Sequence, residues 1–296
     1  MSTATLLRRL GYQDTDRLVI LHADDVGMCQ ATLTAFDDLW QCGGVTCGAV
    51  MAPCPWFPAL SAYCRENPDV DMGVHATLNC EWAPYRWGAL STRDPQSGLL
   101  DTDGYLHNTV AAVLAHATPE EVSNELKAQI NTTLQAGIDI THIDSHMGTI
   151  LTPNYFQDYI QQGIANRVPS MLPRTTAVGV ESMGATDEQL QSLGPVLDQL
   201  ESQGYPLIDG IMMMPLDQPE GQLEIAKRML SQLPVGVTHF IFHPAMDTPE
   251  IRAICPDWPS RVANYHTFMN PEIQSFLKQE NIHPIGYRAL RDAMRG

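Results

Sequence analysis

Leu18-Val19-Ile20-Leu21 is an unbroken aliphatic run that ends in His22-Ala23-Asp24-Asp25-Val26-Gly27. A run that is apolar at every position reads as a strand buried on both faces, the kind found in parallel sheets. Parallel neighbours require long crossovers, usually helices. The chain supplies them: Gln30 to Trp40 carries apolar residues at 33, 36, 39 and 40, a helical spacing closed by Gly43-Gly44. Val45 to Met51 reads as a second strand, Pro53 and Pro55 introduce a helix to Asn67, and Asp71 to His75 is a short third strand. The rhythm resumes further on. Helices are expected at Pro119–Ala136, Pro153–Asn166, Thr186–Ser202, Pro219–Leu233, Pro271–Glu280 and Tyr287–Arg295. Strands are expected at 140–146, 170–172, 207–213, 237–242 and 283–286. About eight strands alternating with helices, with no dividing linker or internal repeat, predict an α/β fold: a single irregular (β/α)-barrel of TIM-barrel type spanning 1–296.

One stretch breaks the rhythm. From Thr77 to about Thr109 no helical period is sustained, and Trp82, Tyr85, Trp87 and Tyr105 lie among Pro, Gly and Asp. Long irregular loops are usually functional lids or linkers, and disordered linkers are poor in aromatics. An ordered, lid-like insertion around 77–109 is therefore expected. Its aromatic rings suit the apolar faces of sugars, and equally suit simple loop packing. The Pro-rich piece from Pro244 to Pro259 reads as a loop.

The polar residues that interrupt apolar runs share one position, the C-terminal end of an expected strand. They are Asp24 and Asp25, His75, His146, Arg174 and His243. In a parallel barrel those ends form one face, where barrel active sites lie. Asp24 and Asp25 buried together need partners, because adjacent carboxylates resist joint ionisation. Taken alone, the pair reads as a helix cap and a solvent-facing acid. With three histidines converging, two imidazoles and one carboxylate make a set for a divalent metal with open positions. Neighbouring side chains on a strand point apart, so one Asp could bind metal while the other faces a water.

Charge and cysteines narrow the classes. A net charge of -17 argues against nucleic acid or an anionic membrane surface as partner. Arg8 and Arg9 are followed by no apolar signal region, and no stretch of about 18 apolar residues is present. A cytoplasmic protein with no membrane insertion is expected. Seven cysteines without a CxxC pair read as reduced core thiols.

Four motifs carry a resemblance: His22-Ala23-Asp24-Asp25-Val26-Gly27, Gly73-Val74-His75-Ala76-Thr77-Leu78, Thr141-His142-Ile143-Asp144-Ser145-His146 and Phe242-His243-Pro244. In order and spacing they resemble the YdjC-like carbohydrate deacetylases, polysaccharide deacetylase-like enzymes that include chito-oligosaccharide and hopanoid-biosynthesis deacetylases. Arg261 to Leu290 is also similar, so nearly the whole chain is covered. The resemblance implies a divalent metal and hydrolysis of an acetamide on an N-acetylated sugar or glycoconjugate. It assigns Asp25, His75 and His146 as metal ligands, Asp24 as general base, His243 as general acid, and Arg174 as the partner that orients or charge-balances Asp24. Trp82, Tyr85 and Trp87 become candidate substrate-binding residues. Zinc suits a His/His/Asp set best, with magnesium open; a homo-oligomer stays open as well.

The chain departs from the pattern at four places. His22 stands where asparagine is usual, Val26 where phenylalanine is common, Met147-Gly148-Thr149 where chito-oligosaccharide enzymes are histidine-rich, and Ala245 where glycine is common. These leave the natural sugar open. On a strand, His142 would lie about 13 Å from His146, too far for one metal, so it is expected to be structural or adjacent to the site. Asp144 is a candidate hydrogen-bond acceptor beside the ligands. His107, His116, His239, His266 and His283 are read as structural or surface residues. Two alternatives are a metal-dependent amidohydrolase acting on a non-sugar amide, and a catalytically inactive carbohydrate-binding barrel.

Overall fold

The computed structural model describes residues 1–183 and 186–296. In chain order its elements are α1 (Thr3–Arg9), β1 (Arg17–Val26), α2 (Gln30–Cys42), β2 (Cys47–Val50), α3 (Phe57–Glu66), β3 (Met72–Ala76), α4 (Val110–His116), α5 (Pro119–Gln135), β4 (Ile140–Ser145), α6 (Phe156–Asn166), β5 (Pro173–Val178), α7 (Asp187–Ser202), β6 (Ile208–Met213), α8 (Gln222–Ser231), β7 (Gly236–Phe242), α9 (Pro249–Ile254), α10 (Trp258–Met269), α11 (Pro271–Gln279), β8 (Ile282–Pro284) and α12 (Tyr287–Arg295). No helix among the described residues is long and apolar enough to cross a membrane.

All strand pairs are parallel, in the order β4-β3-β2-β1-β7-β6-β5. The edge of β1 that faces β2 is shared. Its first half pairs with β8 (Leu18 with His283) and its second half with β2 (His22 with Cys47). The far ends of the sheet approach each other through residues 169–172. The Met171 amide donates to the Ile143 carbonyl of β4 at 2.8 Å, and the Ile208 amide of β6 donates to Leu172 at 3.0 Å. The result is an irregular (β/α)-barrel.

Alternation along β1 sorts its side chains into two layers. Val19, Leu21 and Ala23 face Phe36 and Leu39 of α2 in the larger apolar core between sheet and helices. Leu18 and Ile20 belong to a second apolar cluster with Val237, Ile208 and Cys47 from other strands, closed by Leu6 and Leu7 of α1 and by Tyr287 and Leu290 of α12. His22 contacts His142 of β4, although β2 and β3 separate those strands in the sheet. Side chains of non-neighbouring strands can touch only across the interior of a curled sheet, so this second face is the barrel lumen.

The 77–109 segment is ordered by polar pins rather than by its own secondary structure, which amounts to one short 3-10 turn (Pro95–Ser97) and a single bridge between Leu100 and Leu106. Glu125 of α5 accepts from the Leu90 and Ser91 amides at 3.0 and 2.8 Å. Gln129, one turn along, accepts from the Thr77 amide at 2.9 Å and donates to its carbonyl at 2.7 Å.

Two expectations need correcting. The strand expected at 170–172 is only a bridge at Ser170, and β5 begins at Pro173, whose missing N–H is tolerated at the first position of a strand. The Pro-rich 244–259 stretch is not all loop. Thr248 caps α9 by accepting from the Ile251 amide at 3.2 Å, and α9 and α10 each carry proline in the first turn, where no donor is needed.

Candidate active site

Asp24 reaches the lumen by simple alternation from Leu18, Ile20 and His22. Asp25 does not, because the next residue on a regular strand faces the opposite layer. The backbone resolves this: the pairing of β1 with β2 shifts register between Ala23 and Val26, and Asp25 adopts φ 59, a left-handed conformation uncommon for residues other than glycine. That twist brings both carboxylates against one imidazole. His75 Nε2 lies 3.4 Å from Asp25 Oδ1 and 3.8 Å from Asp24 Oδ2.

Three atoms form a triangle: Asp25 Oδ1, His75 Nε2 and His146 Nδ1, separated by 3.4, 3.3 and 3.2 Å. Donors that each hold one ion at ~2.1 Å stand about 3.0–3.4 Å apart, for angles between octahedral and tetrahedral. The outer atom of each group is held separately. His75 Nδ1 pairs with Asp144 Oδ1 at 2.8 Å, His146 Nε2 with Glu81 Oε2 at 2.9 Å, and Arg261 Nη1 donates to Asp25 Oδ2 at 2.7 Å. Asp25 Oδ1 is buried with no hydrogen-bond partner. Outer carboxylates that fix a ring's orientation are the usual companions of metal-binding histidines. The donor set fits a divalent cation.

Electrostatics match this geometry. Burial opposes ionisation of Asp25, but the Arg261 guanidinium and the two imidazoles hold its carboxyl well below the usual range. Burial would also neutralise His75 and His146. Asp144 and Asp24 override it at His75 and raise that ring, while Glu81 and Asp25 raise His146 to about 9.

Beside the triangle, Asp24 Oδ1 is fixed by His22 Nδ1 at 2.6 Å, which leaves Oδ2 facing His75 and, at 3.7 Å, His243 Nε2. Burial raises the cost of charging Asp24, yet His75, His22 and His243 together keep it ionised. His243 follows β7, and its amide donates to Asn264 Oδ1 of α10 at 2.9 Å. Burial lowers its pKa, so the ring is neutral at rest.

The chain matches the family of YdjC-like proteins over residues 18–279. It belongs to the YdjC-like family. Among curated relatives of this family, a carbohydrate deacetylase of Thermus thermophilus is 32% identical over 98% of this chain and 99% of its own length. Carbohydrate deacetylase 1 of Listeria innocua is 26% identical over 92% and 99%. A solved structure from Enterococcus faecalis V583, described as a cellobiose-phosphate cleavage protein, superposes with TM-score 0.75 at 18% identity, covering 93% of this chain and 99% of that one. That last likeness concerns the fold.

Arg174 does not take the place expected for it in a YdjC-like site. It lies near the start of β5 and hydrogen-bonds Asp209 at 2.7 Å, Glu201 at 2.7 Å and the Met1 carbonyl at 2.9 Å. Asp209 Oδ2 accepts from the Val237 amide, and Val237 pairs with Leu18, so this cluster sits at the strand starts, opposite the site. Because β5 begins at Pro173 rather than ending before it, Arg174 lies at a strand start and not at a strand end. The site's guanidinium is Arg261, on α10, and it pairs with Asp25 rather than Asp24.

Two of the three aromatic candidates, Trp82 and Trp87, lie beside His146, and Tyr85 lies against Trp87 at 6.1 Å. The Trp82 and Trp87 ring centroids lie 6.5 and 6.4 Å from the His146 ring, and Arg261 stacks over Trp82 at 5.2 Å. Trp87 is buried and donates Nε1–H to the Asn79 carbonyl, and the Tyr85 hydroxyl donates to the Met28 carbonyl.

Sequence reading missed Glu81, Arg261 and Asn264, and it set His239 aside. Glu81 sits in an irregular segment and Arg261 in a stretch read as following a loop, so neither had a strand end to mark it. Arg261 opened the C-terminal stretch of family similarity without a role attached to it, and a local signal was Asp257 four residues before it, a helical pair that holds its Nε at 3.1 Å.

Proposed function

We propose that this chain is a metal-dependent hydrolase that removes the acetyl group from an N-acetylated sugar or glycoconjugate. The observation that carries this reading is the convergence of Asp25 Oδ1, His75 Nε2 and His146 Nδ1, with a buried and otherwise unpaired Asp25 oxygen, beside an independent Asp24–His243 pair. The family's named carbohydrate deacetylases support the substrate class.

Those three residues would hold the ion, zinc fitting the donor chemistry best and magnesium less well. Bound there, a divalent cation would acidify a water and polarise the acetyl carbonyl. Asp24 Oδ2 is the proton acceptor for that water, since its other oxygen is committed to His22. His243 Nε2, 3.7 Å from the same oxygen, is placed to pass the proton to the departing nitrogen. A ring that is neutral at rest suits this order: it takes the proton from Asp24 and then donates it, so one proton travels from nucleophile to leaving amine. The products are acetate and a free amino sugar.

Trp82, backed by Trp87 and Tyr85, forms the aromatic wall against which a pyranose face would rest, and the 77–109 segment acts as its lid. The test is acetate release from N-acetylated mono- and oligosaccharides, with metal-loaded and chelated protein compared. Acetate from at least one sugar, lost on chelation and restored by zinc, is expected. Metal-bound protein that releases acetate from none of them would sink the reading.

A further inference from the structure

Beneath the site lies a buried layer of imidazoles that neither hold the proposed ion nor touch the reacting groups except through His22 and Asp24. His22, His142 and His239 come from β1, β4 and β7, and all are buried. The His22 ring centroid is 4.9 Å from His142 and 4.5 Å from His239. Tyr287, at the start of α12, stacks flat on His142 at 3.9 Å and meets His239 Nδ1 through its hydroxyl at 3.0 Å. His22 Nε2 meets His142 Nε2 at 2.8 Å, and His142 Nδ1 meets the Thr141 hydroxyl at 3.0 Å. The ring of His142 occupies space that a side chain at position 73 would fill: a Cβ on Gly73 would fall 2.4–2.6 Å from three of its atoms.

We propose that His22 is a positioning residue, whose Nδ1–H fixes the Asp24 carboxylate so that Oδ2 alone faces the reacting centre, and that His142 and Tyr287 hold its ring for this purpose. The inference rests on the proposed role of Asp24 as proton acceptor. A 2.6 Å contact between Nδ1 and a carboxylate oxygen is attractive only with hydrogen on Nδ1. The ring's other nitrogen is then satisfied by His142, which burial keeps neutral and able to share a single hydrogen with it. Without His22, Asp24 keeps no other donor within hydrogen-bond distance among the described residues and is free to turn toward the His75 and His243 rings, 3.8 and 3.7 Å away.

A second metal site is the competing use of these residues. Donor atoms of His22, Asp24, Asp144 and His239 lie within 4.8 Å of one another. They are already joined to one another or to neighbours: His22 to Asp24 and His142, Asp144 to His75, and His239 to Tyr287.

Two measurements test this. In ¹⁵N-histidine spectra of the intact protein, His22 should carry hydrogen on Nδ1; a bare Nδ1 overturns the proposal whether or not a sugar substrate is found. Kinetics supply the second. His22→Leu should lower kcat ~10–100-fold while KM moves little. His22→Asn offers an amide N–H at the position of Nδ1 and should restore kcat to within about threefold of the parent. Both variants should bind as much zinc as the parent. An asparagine variant as slow as the leucine variant, or a zinc ion lost from both, would overturn it. Failure of the parent to release acetate from any N-acetylated sugar counts against the proposed function, and the spectrum still decides the hydrogen bond.

Discussion

At the scale of residues, the site depends on pairs in which one atom faces the centre and the other is tied outside it. His146 illustrates the consequence. In the metal-free protein Glu81 and Asp25 keep its ring protonated up to about pH 9, and His75 is raised as well. A ligating imidazole must be neutral, so under the proposed ligand set loading the site near neutral pH would expel protons. Zinc affinity should therefore rise with pH toward about 9, by ~1–2 log units per pH unit while both rings titrate. Calorimetry in buffers of different ionisation enthalpy reads the released protons directly; a zinc affinity independent of pH between 6 and 8 would contradict the ligand set. Asp25→Ala and His146→Ala should each lose zinc, measured as metal content of the purified protein, and full occupancy in both would remove the assignment.

At the scale of elements, irregular pieces complete what the strands begin. The twist after Ala23 turns Asp25 into the lumen, the 77–109 segment delivers Glu81, and α10 delivers Arg261 and Asn264. Of these, only the first lies on an element whose ending the residues announce. β3 carries a constraint of a different kind: Gly73 leaves room for His142. Gly73→Ala should displace that ring and lower stability by about 1–3 kcal/mol, the usual cost of overpacking, seen as a drop in the urea midpoint. An unchanged midpoint would mean that the imidazole layer moves aside without cost. Glu81→Gln should weaken zinc binding ~10–100-fold while leaving the fold intact, because it loosens one ligand's outer hydrogen bond.

At the scale of the molecule, an ion bound across β1, β3 and the end of β4 would link distant parts of the barrel. Chelation should lower the melting temperature, since a ligand bound only by the folded state at 100 times its dissociation constant contributes ~2.7 kcal/mol. The loss should grow from pH 6.5 to about 9. The raised His75 and His146 stabilise the metal-free fold fully below the unfolded histidine pKa, and that contribution disappears as pH rises through their folded values. A melting curve indifferent to chelator at every pH would speak against a resident ion. What the residues alone determined was the architecture and the location of the candidate site: apolar runs and helical spacings are local signals, and so is a polar residue that ends a buried run. Asp24, Asp25, His75, His146 and His243 were legible for that reason. Arg174 was misplaced because its role depended on where a strand began, a boundary set by pairing with Ile208 across the sheet. Glu81, Arg261 and the imidazole layer under Asp24 were settled only in three dimensions. Their partners lie 65, 236 and 120 positions away in the chain, and no local pattern encodes which distant side chain will fill the hydrogen bond that burial makes costly to leave empty.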